Sequence, residues 1–135
     1  MDDILLFVPT RSLAEKRLMK ALEKLLSGVS VRVCRDTDGL RRRLLHGSNS
    51  HLAVVTLAVR KQDLLSTMPL RSLLIGFGVV VVLPDSDDVT LAMGWGMWPR
   101  FVSYADGDFR DVAGVLEKMI GTAPHHVKGA SGRWA

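Results

Sequence analysis

Cysteine is almost missing from this chain, since Cys34 is the only one among 135 residues. One cysteine cannot form an internal disulfide, and no second cysteine or suitably spaced histidine accompanies it to bind a metal. The N-terminus also lacks a basic stretch before its first apolar run, so we expect a reducing, cytoplasmic setting. Apolar runs stay well short of the ~20 residues that a membrane-spanning helix needs, so we expect no membrane partner.

Aromatic residues are scarce as well, at 6% of the chain, and the formal net charge is +4. The charge is spread along the sequence and mostly matched by acids, apart from the arginine run 41–43 and a mildly basic tail. Leu40, Leu44 and Leu45 supply a buried side beside that run, so we interpret the arginines as a solvated helix face. Because aromatic side chains are not interleaved with them, nucleic-acid binding through this run and the tail is only the third functional hypothesis.

The sequence does contain short apolar runs that predict buried strands. The clearest lies in GFGVVVVLPDSDD (76–88), where β-branched residues follow one another without polar alternation, as in a parallel strand covered on both faces. Segment 29–34 alternates instead, which is typical of a strand nearer the sheet edge. The predicted strands are Ile4–Val8, Val29–Cys34, Leu52–Val59, Val79–Leu83 and Phe101–Tyr104.

Helical patterns separate these strands. Ser12 and Glu15 form a capping-box pattern before the first helix, and Gly28 is suited to end it. Thr37 or Asp38 is predicted to cap the second helix and Asp108 the last. The predicted helices are 13–27, a second carrying the arginine run and ending in the turn 47–50, a short helix 69–75 with 63–67 as a separate turn, 88–97 and 108–120.

Five strands alternating with five helices predict a single α/β domain over residues 1–120. Such alternation produces right-handed crossovers and a doubly wound parallel sheet with helices on both faces, and a sheet of this size suits the order 2-1-3-4-5 of flavodoxin-like folds. Residues 121–135 lose periodicity and predict a flexible C-terminal tail. The adjacent His125 and His126 would point apart in an extended segment, so we predict no metal site there.

Two stretches, VSVRVCRDTDGLRRRLL (29–45) and PRFVSYADGDFRDVAGVLEKMI (99–120), resemble the second strand and helix and the last strand and helix of the receiver domain of bacterial response regulators, CheY-like proteins of two-component signalling. The resemblance covers about residues 3–120. It implies a site at the carboxyl edge of the sheet in which an aspartate accepts a phosphoryl group. It also implies an acidic pair that helps to hold Mg²⁺, and a hydroxyl and a lysine that contact the phosphate.

Carried over position by position, the resemblance places unsuitable residues at this site. Thr56 falls at the phosphoacceptor position, and Val8 and Pro9 fall at the acidic pair. The hydroxyl position falls on Leu83 or Pro84, and the lysine position on Tyr104. A threonine without a nearby base is a poor phosphoryl acceptor, and valine and proline side chains cannot coordinate a hard cation. We therefore predict a pseudo-receiver that is not phosphorylated, is not an enzyme and needs no cofactor.

Acidic residues do remain in the loops after the fourth and fifth strands. Asp85, Asp87 and Asp106 are the weak metal candidates among them, accompanied by Asp88 and Asp108. Helix capping and the attraction of anions to helix N-termini explain the same residues without a metal, so we predict no metal centre.

The leading functional hypothesis is therefore a signalling module that acts by protein–protein interaction. Apolar side chains around a glycine-weakened helix would form an adaptable contact surface, on the face made by the fourth helix, the fifth strand and the fifth helix, and we expect a homodimer there. Phe101 also matches the aromatic switch residue of receivers, although simple packing explains it better. The predicted surface consists of Met93, Trp95, Met97, Trp98, Phe101 and Tyr104.

The alternative hypothesis is a flavodoxin-like domain that binds a small ligand or nucleotide. Thr10, Arg11 and Ser12 place two hydroxyls and a cation before the first helix, where phosphate groups bind in such folds. This loop lacks glycine, and later loops lack the aromatics that would enclose a flavin.

Overall fold

The structure, a computed structural model, describes residues 4–26, 28–46 and 53–121. The predicted tail, with His125 and His126, lies outside the described residues apart from Gly121, as does the predicted turn 47–50. Within the described residues, no helix is both long enough and apolar enough to cross a bilayer.

Five parallel strands form one sheet in the order β2-β1-β3-β4-β5, which confirms the predicted topology. In the register of the three neighbouring strands, Phe7 lies level with Cys34 on one side and Thr56 on the other. The strands are β1 (Ile4–Phe7), β2 (Val31–Cys34), β3 (Ala53–Leu57), β4 (Gly78–Leu83) and β5 (Phe101–Tyr104).

Helices cover both faces of this sheet. Buried side chains of the first and last helices pack on one face, and those of the helices between β2 and β5 pack on the other. The helices are α1 (Leu13–Leu25), α2 (Thr37–His46), α3 (Lys61–Thr67), α4 (Arg71–Leu74), α5 (Asp88–Trp95) and α6 (Arg110–Gly121), with a 3-10 turn at Met68–Leu70.

Strand burial follows position in the sheet. Every residue of β1, β3 and β4 is buried, as expected for interior parallel strands covered by helices on both sides. The edge strands β2 and β5 keep partly exposed residues. The apolar runs of the sequence therefore correspond to the three interior strands.

The third crossover differs from its prediction. A short helix over 69–75 with a separate turn at 63–67 was expected. Instead, α3 begins at Lys61, a 3-10 turn follows, and α4 covers only Arg71–Leu74. The early start has a local cause, because the Asp63 carboxylate accepts hydrogen bonds from the backbone N–H groups of Val59 and Arg60. Pro69 lies at the start of the 3-10 turn, where its missing N–H costs little.

Helix caps also depart from the pattern. The Ser12 hydroxyl accepts the N–H of Glu15, as the capping box requires, but the Glu15 side chain binds Arg35 instead of completing the box. At α2 the cap is Asp36, whose carboxylate accepts the N–H of Gly39, and not Thr37 or Asp38. Asp108 accepts the N–H of Arg110, the first residue of α6.

Helix α5 ends at Trp95, two residues earlier than predicted. Its packing on β4 is close at Gly94, where a Cβ atom would lie 2.9 Å from a methyl carbon of Leu83. No other residue type fits without displacing that leucine. Gly94, which weakens the helix, is thus what lets α5 approach the sheet.

Candidate functional site

Thr56 is a buried residue of β3, with 3% of its surface exposed. It stands in register between Phe7 and Val81, so its neighbours across the sheet are apolar. Its hydroxyl has no hydrogen-bond partner within the described residues. A threonine hydroxyl is a poor nucleophile unless a base or a cation lies beside it, and neither Phe7 nor Val81 supplies one.

The other receiver positions are also occupied by packing residues. Val8 and Leu83 are fully buried, and Leu83 contacts the backbone of α5 at Gly94. Tyr104 pairs with Leu83 in the β4–β5 register and is partly buried. A buried valine followed by a proline presents no side-chain oxygen to a cation, so the receiver magnesium site does not fit this edge of the sheet.

A polar cluster that the sequence analysis missed fills the carboxyl edge between β1 and β3. Asp63 is its centre, with 3% of its surface exposed. Its Oδ1 accepts the hydroxyl of Thr10 at 2.9 Å and lies 3.6 Å from the Arg60 guanidinium, which also donates to the Thr10 hydroxyl at 3.1 Å. Its Oδ2 accepts the backbone N–H groups of Val59 and Arg60 at 3.0 and 3.2 Å. Every bond of this carboxylate is internal to the fold.

This cluster ties two loops together. Thr10 follows β1, whereas Arg60 and Asp63 follow β3, so the bonds join segments 53 residues apart in sequence. The only sequence signal was an acid three residues after an arginine at a helix start. That spacing is common in ordinary helices, and it does not indicate which loop lies opposite.

A second bridge joins the loops after β3 and β4. Lys61 Nζ lies 2.5 Å from a carboxylate oxygen of Asp87, and the other Asp87 oxygen accepts the N–H of Thr90 at the start of α5. The hydrogen bond from Lys61, followed by the bonds from Thr90, lowers the pKa of Asp87 to about 2. Asp85 in turn accepts the N–H of Asp87. These acids therefore shape the loop and the helix start.

No group of three or more metal-ligating side chains is found within residues 4–26, 28–46 and 53–121. Asp106 is exposed in the loop after β5, apart from the bonds that engage Asp85 and Asp87. That loop is held by α1, because the Arg17 guanidinium donates to the carbonyls of Ala105 and Gly107 and lies over the Phe109 ring. Within the described part of the chain, Asp85, Asp87 and Asp106 therefore do not come together as a group of metal ligands.

The predicted contact surface is partly formed. Trp95 and Trp98 are 55% and 74% exposed, and Met93, Phe101 and Tyr104 are partly buried. Met97 is wrong as a surface residue, since only 3% of it is exposed and it packs in the core beneath α5. Trp98 has a φ of 55°, a left-handed conformation that costs a bulky residue energy. Trp98 therefore combines an exposed aromatic ring with a strained backbone.

The hydroxyls of the alternative phosphate site are engaged inside the fold. Thr10 donates to Asp63, and Ser12 caps α1. Of the three residues proposed for that site, Arg11 is the exposed one.

Comparison with known proteins places this geometry in a fold family. A protein of Burkholderia pseudomallei described as pilus assembly-related aligns with a TM-score of 0.65 and 16% identity over 90% of each chain. The RcsB response regulator of Salmonella typhimurium, in a structure concerned with DNA interaction, aligns with a TM-score of 0.66 and 12% identity. That alignment covers 96% of this chain and 66% of RcsB.

The chain has a receiver-type fold. The strand order and the likeness to a response regulator establish this point, and identities this low establish the fold alone. No protein-family model matches the sequence, and no curated protein matches it. The receiver-type fold is thus recognised from the architecture and not from the sequence.

Proposed function

We propose that this receiver-type domain is a signalling module that acts through protein contacts and does not accept a phosphoryl group. The observation that carries the proposal is the state of the carboxyl edge. The strand position expected to bear the nucleophile holds the buried Thr56, whose hydroxyl has no partner within the described residues. The buried carboxylate of Asp63, at the same edge of the sheet, accepts three hydrogen bonds from the fold itself.

The edge is also fixed in place. Asp63 joins the loops after β1 and β3, and Lys61 with Asp87 joins the loops after β3 and β4. Receivers use this edge for the reaction, with groups that hold a metal and a transferred phosphate. Here the same loops are joined to one another, which suits a domain whose role is to present a constant surface.

Trp95 and Trp98 are the residues to which the contact is assigned. Aromatic side chains are favoured in protein interfaces because they bury a large area at little cost in conformational entropy. Local strain is retained where the surrounding structure enforces it, commonly at functional positions, and Trp98 combines such strain with high exposure. We propose a homodimer or another protein partner on this face, in a cytoplasmic setting suited to the free thiol of Cys34.

One experiment tests the chemical half of the proposal. The protein is incubated with Mg²⁺ and either acetyl phosphate or beryllofluoride, and adducts are sought by intact mass and by ¹⁹F NMR, with an active receiver domain as the positive control. The expected result is no adduct under conditions that label the control. A stable adduct on this protein would contradict the proposal.

A second experiment tests the contact surface. Light scattering is expected to give the mass of a dimer for the wild-type protein and of a monomer for Trp95→Ala and Trp98→Ala. Leu13→Ala is the matched control, because Leu13 is also a large exposed apolar residue but lies at the start of α1. A wild-type monomer would leave only a different protein as partner. Equal behaviour of all three variants would remove the tryptophans from the proposal.

A further inference from the structure

Two adjoining clefts lie at the carboxyl ends of β1 and β2, on the side of the sheet away from the tryptophans. The first lies beside the start of α1, the second lies between the end of β2 and α2, and both include Arg35. We call them the Arg35 clefts. Their lining is Arg11, Ser12, Leu13, Glu15, Lys16 and Arg35 in the first and Val33, Cys34, Arg35, Asp36, Gly39, Arg42 and Arg43 in the second.

The charge of these clefts is strongly unbalanced. They hold five cationic side chains and two carboxylates, a surplus of three positive charges. Both carboxylates are already bound: Glu15 receives two hydrogen bonds from Arg35, at 2.6 and 2.7 Å, and Asp36 accepts the N–H of Gly39. The hydrogen bonds from Arg35 lower the pKa of Glu15, so it stays ionised and holds the guanidinium in place.

Three of the remaining cations are not paired in the same way. Within the described residues, Arg11, Lys16 and Arg42 make no ion pair. All three are exposed side chains. Arg11 and Lys16 attract the Glu15 carboxylate without contacting it, which helps to lower its pKa. The clefts therefore present positive charge that is not held in an ion pair.

The surplus belongs to an uneven distribution of charge along the chain. Residues 11–43 contain ten cations and four acids, whereas residues 53–121 contain six cations and eight acids. The strand order places β2 and α2 at one edge of the sheet, so five of these ten cations, Arg32, Arg35 and the arginine run 41–43, lie at that edge. Arg17 instead reaches the loop after β5. The interpretation of the charge as spread and mostly matched is therefore wrong for residues 11–43.

The shape and the residue types indicate the ligand. The clefts measure about 410 and 600 Å³, within the range of small-molecule sites. Guanidinium groups bind phosphate oxygens with paired, directional hydrogen bonds. The second cleft is lined by Arg35, which is already bound to Glu15, and by Arg42 and Arg43. No aromatic side chain lines either cleft, so no ring is available to stack on a nucleobase.

We propose that the Arg35 clefts form a non-covalent site for a small ligand carrying two or more linked phosphate groups. The phosphates lie between the α1 side, with Arg11 and Lys16, and the α2 side, with Arg42, while Arg35 stands between them. A free polyphosphate and the phosphate chain of a nucleotide share this chemistry. The site is separate from the sealed edge between β1 and β3 and from the tryptophans, so it stands or fails independently of the proposed function.

The test is calorimetric titration of the full chain at low ionic strength with inorganic tripolyphosphate, ATP and sulfate. Tripolyphosphate is expected to bind saturably and more tightly than sulfate, with affinity that falls as salt is added. Lys16→Gln and Arg42→Gln are each expected to weaken binding at least tenfold. Lys118→Gln, which removes an exposed cation of α6 outside the clefts, is the matched control and is expected to bind as the wild type does.

The titrations with ATP and tripolyphosphate distinguish a nucleotide from a free polyphosphate as the ligand. Equal binding of ATP and tripolyphosphate assigns recognition to the phosphate chain alone, and tighter binding of ATP assigns an additional contact to the nucleoside; both agree with the proposal. Absence of saturable binding overturns it. If Lys118→Gln weakens tripolyphosphate binding as much as the cleft variants do, the ligand is attracted to a basic protein in general and the proposal is overturned. Binding of duplex DNA or polyglutamate without binding of tripolyphosphate also overturns it. Melting curves of the three variants, whose altered side chains are exposed, establish that each is folded.

Discussion

Thr10 donates its hydroxyl proton to Oδ1 of Asp63 at 2.9 Å, across the carboxyl edge of the sheet. The bond joins the loop after β1 to the first turn of α3, and the Arg60 guanidinium bonds to the same Thr10 hydroxyl. Buried carboxylates are tolerated where hydrogen bonds and a nearby charge replace water, and Asp63 has both. The edge that receivers keep open for chemistry is thus held by a structural carboxylate.

Removing this carboxylate is expected to destabilise the domain. Asp63→Ala leaves the N–H groups of Val59 and Arg60 and the Thr10 hydroxyl without their acceptor, so we expect a loss of about 2–4 kcal/mol in the free energy of unfolding. Urea denaturation followed by circular dichroism measures it. Asp106→Ala, which removes an exposed acid, is the control and is expected to change stability by less than about 0.5 kcal/mol. Similar losses in both variants would contradict the role given to Asp63.

Thr56 and Thr67 offer a comparison of the same substitution at equal burial, each with 3% of its surface exposed. The Thr56 hydroxyl has no partner, whereas the Thr67 hydroxyl donates to the carbonyl of Asp63 at 2.7 Å. Thr56→Val is therefore expected to stabilise the fold by about 1 kcal/mol and Thr67→Val to destabilise it by about 1 kcal/mol. The two midpoints of urea denaturation should move in opposite directions. A shift of both in the same direction would show that the Thr56 hydroxyl is bonded.

The Lys61–Asp87 bridge predicts an acid-sensitive contribution to stability. Because the pKa of Asp87 is lowered to about 2, its contribution is present above the ordinary carboxyl pKa of 3.8 and is lost as the pH falls through about 2. Lys61→Met removes the principal cause, so the Asp87 pKa is expected to rise toward its ordinary value. NMR titration of the Asp87 carboxyl carbon from pH 1.5 to 6 measures this pKa. An unchanged midpoint in Lys61→Met would assign the low pKa to the helix N-terminus alone.

The left-handed backbone of Trp98 predicts a difference between two small replacements. At a φ of 55°, alanine is strained whereas glycine is not. The variant Trp98→Gly is therefore expected to be about 1 kcal/mol more stable than Trp98→Ala. Thermal unfolding of the two variants measures the difference. At Ser86, which is exposed and outside the left-handed residues, the same pair of replacements should favour alanine or show no preference. Equal stability of the two Trp98 variants would argue against strain at this position.

The features readable from the sequence are those governed by neighbours along the chain. Val79–Leu83 was recognised as an interior strand because an uninterrupted β-branched run needs cover on both faces, and the structure buries all of it. Ser12 was recognised as a cap because the N–H that it accepts is three residues away. The hypothesis that Thr56 and Leu83 replace receiver residues also needs no coordinates, since it depends on residue type, and it stays a prediction.

The features that sequence reasoning missed depend on distant partners. Asp63 was assigned to a turn, and Glu15 was expected to complete its own capping box. The first binds Thr10 from another loop, and the second binds Arg35 at the end of β2. Met97 was assigned to the surface because the helix was extended to include it, whereas the chain turns after Trp95 and buries it.

The sequence by itself determined the alternation of strands and helices and the class of sheet, because periodicity is a local property. Only the tertiary structure decided that Asp63 seals the edge between β1 and β3 and that Arg35 stands between two basic clefts. Those arrangements depend on which strand ends become neighbours in the order β2-β1-β3-β4-β5. Hydrogen bonds and ion pairs act only over a few ångströms, so they form only between groups that this strand order brings close together.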